Sequence, residues 1–519
     1  MSTQGTTTQQ FTGWRAALWP IHGYELKKFL PLSLIMFCLL FNYTILRDTK
    51  DTLVVNSSGA AAITFLKLYC VTPAAILFVI IYSKMINSLK RENVFYAIVA
   101  PFLVFFGAFA FIIYPNLALM HPSAETVQYL HESFPRMGGF IDIYAYWSFS
   151  LFYVLAEIWG SAMIALMFWQ FANHVVRMGE SKRFYGLFAV VGNLALILSG
   201  QVVGLSSGYI QKFFDTKEAA WQFSLFILMG TVVLFGFAAM ALYRWMHTNV
   251  LTDKRFFDPE VQDSKKKKKE KPSLLESAKL IFTSPELGLI AILIMAYGIT
   301  INLVEVQWKH QLGQFYAGDK GGYNWFMGQF STVTGIVTIL FGLFAGSNIL
   351  RRVSWFKAAI ITPLLITCGG ICFFAFTFSE QFVNFVLANV AQINAVAAAT
   401  FLGAIIVILS KAVKYILFDA TKEMAYIPLN DELKTKGKAA VDVIGGRAGK
   451  AGGAFTQSTL FILFATIDPV MIAPQAFIVF ATVCGLWVVA VKLLSKRVDS
   501  AVKARQEEAS QQPTVGATA

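Results

Sequence analysis

Between Phe29 and Leu494 the chain is a succession of apolar blocks, each near the length of about 20 residues that a helix needs to cross a hydrocarbon layer of about 30 Å. The blocks are 29–47, 60–82, 94–114, 144–171, 184–206 and 221–243, then 284–305, 325–346, 356–378, 398–418, 438–465 and 470–494. So much continuous apolar surface suits a lipid solvent, in which backbone polar groups must be satisfied within each segment. Charged residues make up 14% of the chain, against about 25% in soluble domains. The longest polar connector, from about Tyr243 to Leu280, lacks the apolar content for a core of its own. The expected fold is an all-α polytopic membrane protein with about twelve transmembrane helices. A further apolar stretch at 380–398 reads as a re-entrant or surface helix, because the first half has a matching long connector at 115–143. The first block lacks a small-residue cleavage site and reads as a retained helix.

Loop charge sets the expected orientation. With the N-terminus inside, the inner connectors carry Lys84, Lys90, Arg91, Arg177, Lys182 and Arg183, then the run Lys265 to Lys269 with Lys271. In the second half they carry Arg351, Arg352, Lys357, Lys411, Lys414, Lys422, Lys434 and Lys436, while the outer connectors carry chiefly Arg136, Lys212, Lys217 and Lys320. Both termini are therefore expected in the cytoplasm. The lysine run accounts for much of the net charge of +13 and reads as a solvated linker near anionic lipid. Without interleaved aromatics it does not point to nucleic acid. The five cysteines, Cys38, Cys70, Cys368, Cys372 and Cys484, lie in apolar segments without metal-ligand neighbours, so neither a disulfide framework nor a metal or cofactor is implied.

The expected organisation is a cytoplasmic segment 1–28, a six-helix bundle 29–243, a basic linker 244–279, a second six-helix bundle 280–494 and a disordered tail 495–519. The halves echo each other. Val191, Gly192 and Asn193 with Gly200 match Ile444, Gly445 and Gly446 with Gly453, small residues suited to close helix packing. Two pseudo-symmetric bundles around a midplane site is a major-facilitator-like architecture. That superfamily's glycine-and-arginine loop is not evident after the second span, where the chain reads Tyr82-Ser83-Lys84-Met85-Ile86-Asn87, so the relation is one of architecture.

An ionised group at the bilayer centre costs about 2.5–3.5 kcal/mol on insertion scales, yet several are kept. Arg47, Asp48, Lys50 and Asp51 stand at the expected end of the first span, and Lys67 lies inside the second. Glu157 sits between Leu155-Ala156 and Ile158-Trp159, and Glu305 and Lys309 stand at the expected end of the seventh. Asp442, Arg447 and Lys450 lie in the glycine-rich eleventh. Two readings are open: Arg47 and Lys50 snorkel to the interface while Lys67 pairs with Asp48 or Asp51, or cations from both halves converge on one cavity as a clamp for a multiply charged anion. In the second, Glu157 and Glu305 are salt-bridge partners for the cations when no anion is bound. Asp442 neutralises a cation elsewhere in the bundle. Asn193, Asn302, Phe168 and Trp169 are candidates for a base pocket or for packing.

Several of these blocks resemble the non-mitochondrial ATP/ADP translocases, the nucleotide transporters of plastids and obligate intracellular bacteria. The matching stretches are Ile45 to Asp51, Ala156 to Ser161 with Phe168 to Asn173, Asn302 to Lys309, and Phe418 to Leu429 continuing through Lys436 to Ala440 and Gly449 to Gly453. They run from the first span to the eleventh. The resemblance implies exchange of ATP for ADP, with co-transport of phosphate alongside ADP left open; the chain is expected in a bacterial inner membrane, and no obligate protein partner is evident from it. It also implies two lysines and two glutamates as essential membrane charges. Lys50, Glu157 and Glu305 match by motif; for the second lysine Lys450 is favoured and Lys438 is the alternative.

Other function classes fit less well. Gly445 to Lys450 is no phosphate-binding P-loop, since Ile444 stands where its first glycine belongs and Ala451 follows the lysine. A membrane-embedded phosphate-group enzyme or flippase would want a metal-binding acidic pair, and Asp48 with Asp51 is flanked by Arg47 and Lys50. A proton-coupled nucleotide importer is the nearer rival.

Overall fold

The computed structural model describes residues 19–253, 256, 281–378, 395–427, 429, 433, 437–438 and 441–511, and helix is the only regular structure among them. Eleven helices there are long and apolar enough to cross a membrane. They are α1 (Gly23–Ser58), α2 (Ala62–Ser88), α3 (Glu92–Met120), α4 (Trp147–Val175), α5 (Arg183–Phe213), α6 (Lys217–Asn249), α7 (Pro285–Phe315), α8 (Lys320–Leu350), α9 (Trp355–Thr377), α10 (Ala395–Tyr426) and, after one more, α12 (Ala473–Val498). The remaining crossing, α11, is a π turn, Val441–Gly445, running into Gly446–Leu463. Its charges and glycines dilute its apolarity, but it restores the even count expected from the sequence. The side on which α1 starts and α6 ends is called the linker side here, and the opposite one the distal side.

Several boundaries differ from expectation. The first span does not end at 47 nor the seventh at 305; α1 continues to Ser58 and α7 to Phe315. The charged motifs therefore sit inside helices, because each charge finds a partner and the chain need not reach water to satisfy it. The final helix runs to Gln511, through much of the tail expected to be disordered from 495. The connector 115–143 holds short helices, Leu117–Met120, Ala124–Ser133 and Gly138–Ala145. Of the stretch 380–398 only the residues from Ala395, the start of α10, are described, and the lysine run lies outside the described residues.

Packing repeats between the halves. Helix α1 is embraced by α4, α5 and α6, as α7 is by α10, α11 and α12. The halves then meet along α5 with α8 and along α2 with α11. Small residues explain these seams. A Cβ on Gly200 would lie 2.5 Å from the Gly328 carbonyl oxygen, and one on Gly328 would lie 2.6 Å from that of Gly200. Within the second half, a Cβ on Gly298 of α7 would lie 2.8 Å from the Gly449 carbonyl carbon of α11. Indole groups pin helices within each half: Trp159 Nε1 donates to Leu39 O at 3.2 Å, and Trp308 Nε1 to Thr400 O at 2.9 Å. Among the spanning helices as described, seven contain a π turn, and three pairs occupy equivalent helices of the two halves: Leu66–Val71 and Gly342–Gly346, Gly160–Phe168 and Lys414–Phe418, Leu205–Tyr209 and Val441–Gly445.

The distal side is closed. Val55 of α1 packs against Gly313 of α7, and Phe65 of α2 stacks on Phe461 of α11 with centroids 6.2 Å apart. At the rim Lys217 Nζ lies 3.2 Å from Asp319, and Lys320 Nζ 3.1 Å from Glu218, both across the halves. On the linker side the described ion pairs stay within one half, such as Lys28 with Glu180 at 2.7 Å and Arg497 with Glu286 at 2.8 Å. The contacts of α2 with α11 come from its distal part, Ala62–Val71.

Candidate functional site: a buried charge cluster between the halves

Helix α1 positions the cluster. Arg47, Lys50 and Asp51 fall at helical spacings of three and four, so one stripe carries all three toward the midline. Lys50 is 2% exposed. Its Nζ lies 2.8 Å from Asp51 Oδ1, 3.0 Å from Glu157 Oε1 on α4, and 3.8 Å from the centroid of the Tyr153 ring one turn before Glu157. The other Asp51 oxygen is 2.9 Å from Lys309 Nζ on α7, so one carboxylate joins the halves. Arg47 Nε bonds Asp48 Oδ1 at 3.0 Å and its Nη2 donates to Ser331 Oγ of α8 at 2.6 Å. The Ser331 hydroxyl in turn donates to Asp48 Oδ2 at 2.6 Å. Thr52 Oγ1 donates to Asn324 Oδ1 at 2.8 Å, one turn farther toward the distal side.

In the second half Glu305, one turn before Lys309, is 3.3 Å from Lys411 Nζ of α10, whose cation lies 4.8 Å from the Phe330 ring centroid. Lys67 projects from the π turn of α2 into the same field, facing Lys309, Glu305, Glu157 and Lys50, with no carboxylate at ion-pair distance among the described residues. Lys450 of α11 is exposed and lies within electrostatic reach of Glu157. Arg447, one turn earlier, is also exposed. Neither has an ion-pair partner among the described residues. Glu157, Glu305, Arg47 and Lys411 are each partly exposed, unlike Lys50, Asp48 and Asp51 beneath them. With Lys450 they make up the accessible side of the cluster.

The structure thus brings together Arg47, Lys50, Lys67, Glu157, Glu305 and Lys450 from five helices of both halves. Other candidates lie elsewhere. Lys438 pairs with Glu423 at 2.5 Å near the linker end of α10, and Asp442 pairs with Lys422 at 2.9 Å. Asn302 is buried in the α7–α11 seam, accepting from Gln457 Nε2 at 3.3 Å. Asn193 Nδ2 donates to Ala189 O of its own helix at 2.9 Å, and its backbone carbonyl backs onto Gly335 of α8. Phe168 and Trp169 pack in the aromatic core of the first half, against Phe188 and Tyr185. The pairing of Lys67 with Asp48 or Asp51 does not occur, because Arg47, Lys50 and Lys309 already occupy those carboxylates.

Sequence reasoning did not assign two of the cluster's cations to the site. Lys411 was expected in an inner connector but lies within α10; the signal was the unbroken apolar run Ile405 to Leu409 before it. Lys309 was visible as a charge, yet nothing local showed that its partner is Asp51.

Two six-helix bundles with a charge cluster at their interface give the chain a major-facilitator-like architecture, that of a membrane protein built from two helical halves. Solved structures share that fold: a nucleoside transporter with a TM-score of 0.54 at 12% identity, covering 90% of this chain and 99% of that one, and a D-xylose–proton symporter with a TM-score of 0.54 at 11% identity, covering 91% and 97%. At sequence level, the model of the TLC ATP/ADP transporter family matches residues 4–498. ADP,ATP carrier protein 1 of Rickettsia bellii is 46% identical over 483 residues, 93% of this chain and 95% of the relative. ADP,ATP carrier protein 1 of Chlamydia pneumoniae is 42% identical over 518 residues, 99% of both chains. The chain belongs to the TLC ATP/ADP transporter family.

Proposed function

We propose that the chain exchanges ATP for ADP across a bacterial inner membrane by alternating access, with the linker side and both termini in the cytoplasm and residues 29–243 and 280–494 as the two moving units. The observation that carries the reading of the site is its excess of positive charge. Arg47, Lys50, Lys67, Lys309, Lys411 and Lys450 face Asp48, Asp51, Glu157 and Glu305, leaving two cations in surplus. The two without a carboxylate at ion-pair distance among the described residues are Lys67, half-buried, and Lys450, exposed, so the site is poised for an anion that brings several oxygens at once, as a polyphosphate does.

Lys67 and Lys450 receive the phosphates first, since they release no carboxylate to do so, and Arg447 extends this seat toward the linker side. Lys50 and Lys411 are drawn in by leaving Glu157 and Glu305. The two glutamates then act as switching partners, holding the lysines when the site is empty and giving them up when it is filled.

Counter-exchange in proteoliposomes tests the proposal. Labelled ATP is expected to enter vesicles loaded with ADP, saturably, and phosphate added to the internal panel shows whether it accompanies ADP. Uptake that ignores internal nucleotide and collapses with an uncoupler would replace exchange by proton-coupled import.

A further inference from the structure

Asp51 has no role in the seat just described, yet it is the carboxylate on which both halves converge. Its two oxygens hold Lys50 and Lys309 at 2.8 and 2.9 Å, and it is 2% exposed. The bond to Lys309 bridges α1 and α7 just below the point where Val55 meets Gly313 and the distal side is sealed. For that side to open, Lys309 must leave Asp51. Among the described residues the other carboxylate whose field acts on Lys309 is Glu305, a single turn earlier on the same helix. Glu305 is engaged by Lys411 at 3.3 Å.

Resting on the proposed exchange of polyphosphates, we infer that Asp51 and Lys309 form a hand-over that makes reorientation depend on cargo. With the site empty, Lys411 occupies Glu305, so a Lys309 that left Asp51 would be stranded in a buried, unpaired state. When a phosphate draws Lys411 away, Glu305 is vacated and accepts Lys309 at an i, i+4 spacing that favours the pair. Asp51 keeps Lys50, no charge is orphaned, and the distal seam is free to part. The same sequence in reverse closes the seam behind a departing anion. Asp51 and Lys309 are positioning residues in this scheme: neither touches the cargo, and both decide whether an unloaded carrier can turn over. Strict counter-exchange, as opposed to net uptake, follows from that arrangement.

The test compares two uptake modes in proteoliposomes, one with internal ADP and one without internal nucleotide. The native protein takes up labelled ATP in the first mode only. Asp51→Asn and Lys309→Gln, which remove the bond that an empty carrier cannot replace, are each expected to raise uptake into nucleotide-free vesicles by about tenfold or more relative to their own exchange, while Lys309→Arg keeps the native dependence. Variants that remain as dependent on internal nucleotide as the native protein, whatever their absolute rate, overturn the inference. Absence of ADP-dependent uptake by the native protein would instead overturn the proposed function. A second readout needs insertion but not transport: a cysteine placed by Val55→Cys is labelled from the distal side by an impermeant thiol reagent. In the otherwise native protein labelling is expected only with nucleotide present. With Asp51→Asn added it is expected without nucleotide, and continued protection there overturns the hand-over even if the variant transports nothing.

Discussion

Replacing Lys50 by glutamine removes a buried cation that two carboxylates hold, Asp51 at 2.8 Å and Glu157 at 3.0 Å, and its two consequences separate. For stability, deleting one partner of a buried pair costs about 3–5 kcal/mol when the other charge is left alone. Here neither carboxylate is left alone. Asp51 keeps Lys309 at 2.9 Å, and Glu157, whose side chain is 25% exposed, remains in the field of Lys67 and Lys450. The expected loss is therefore smaller, about 1–3 kcal/mol, and the protein should still insert. For transport, one charge-assisted hydrogen bond to a phosphate contributes about 1.5–3 kcal/mol. At about 1.4 kcal/mol per tenfold this is a fall of roughly 10- to 150-fold in exchange. The assay is entry of labelled ATP into ADP-loaded proteoliposomes, normalised to inserted protein, with thermal unfolding in detergent as the companion measurement. Exchange indistinguishable from native, with the variant fully inserted, would refute the placement of Lys50 in the seat.

Gly298→Leu would force α7 from α11, since even a Cβ there lies 2.8 Å from the Gly449 carbonyl carbon; overpacking of this kind destabilises by about 1–3 kcal/mol, and an unchanged Tm would show that the seam yields freely. Lys320→Gln breaks the rim bridge to Glu218, whose side chain is 63% exposed, so a change of no more than about 1 kcal/mol is expected in thermal unfolding, and a larger one would mean the rim is drier than it looks. In the distal connector, burial pushes the carboxyl of Asp142 up to about 6 against the pull of His131, 3.1 Å away. Because the folded state binds this proton more tightly than the unfolded one, its contribution is full below pH of about 4 and is lost as pH rises through about 6. Hydrogen exchange across residues 117–145 should therefore quicken over that interval, and Asp142→Asn should abolish the change; a native profile in the variant would refute it.

The architecture was legible because lipid enforces it: an apolar block of spanning length has few alternatives, and charge bias in the connectors orders the blocks. Glu157 was legible for a related reason, being a lone carboxylate among apolar neighbours where nothing local can neutralise it. Arg47 to Asp51 was harder to place. Five polar residues in succession look like the end of a span, and only partners on α4, α7 and α8 show that the helix continues through them. Lys411 was concealed by Lys414 and Lys422 beyond it, which give the end of α10 the look of an inner loop. The bonds that organise the site, Asp51 to Lys309 above all, join residues far apart in the chain, and a single sequence carries no trace of such pairings. Asn302 shows the opposite error, a polar residue suggestive of ligand contact that instead secures one helix against another.

Lys67 has an unusual seat, the π turn Leu66–Val71 of α2. A π turn is one residue too long for the helix that contains it, and it leaves part of the regular hydrogen-bond ladder unmade. Such an extra residue can be passed along the helix or absorbed, and each such step turns everything beyond it by about 100° around the axis. Since Lys67 lies within the turn itself, its heading is set by a local irregularity of the backbone, independent of where the ends of α2 are anchored. A shift of that extra residue by one position past Lys67 would re-aim its ammonium group by about 100° around the helix axis.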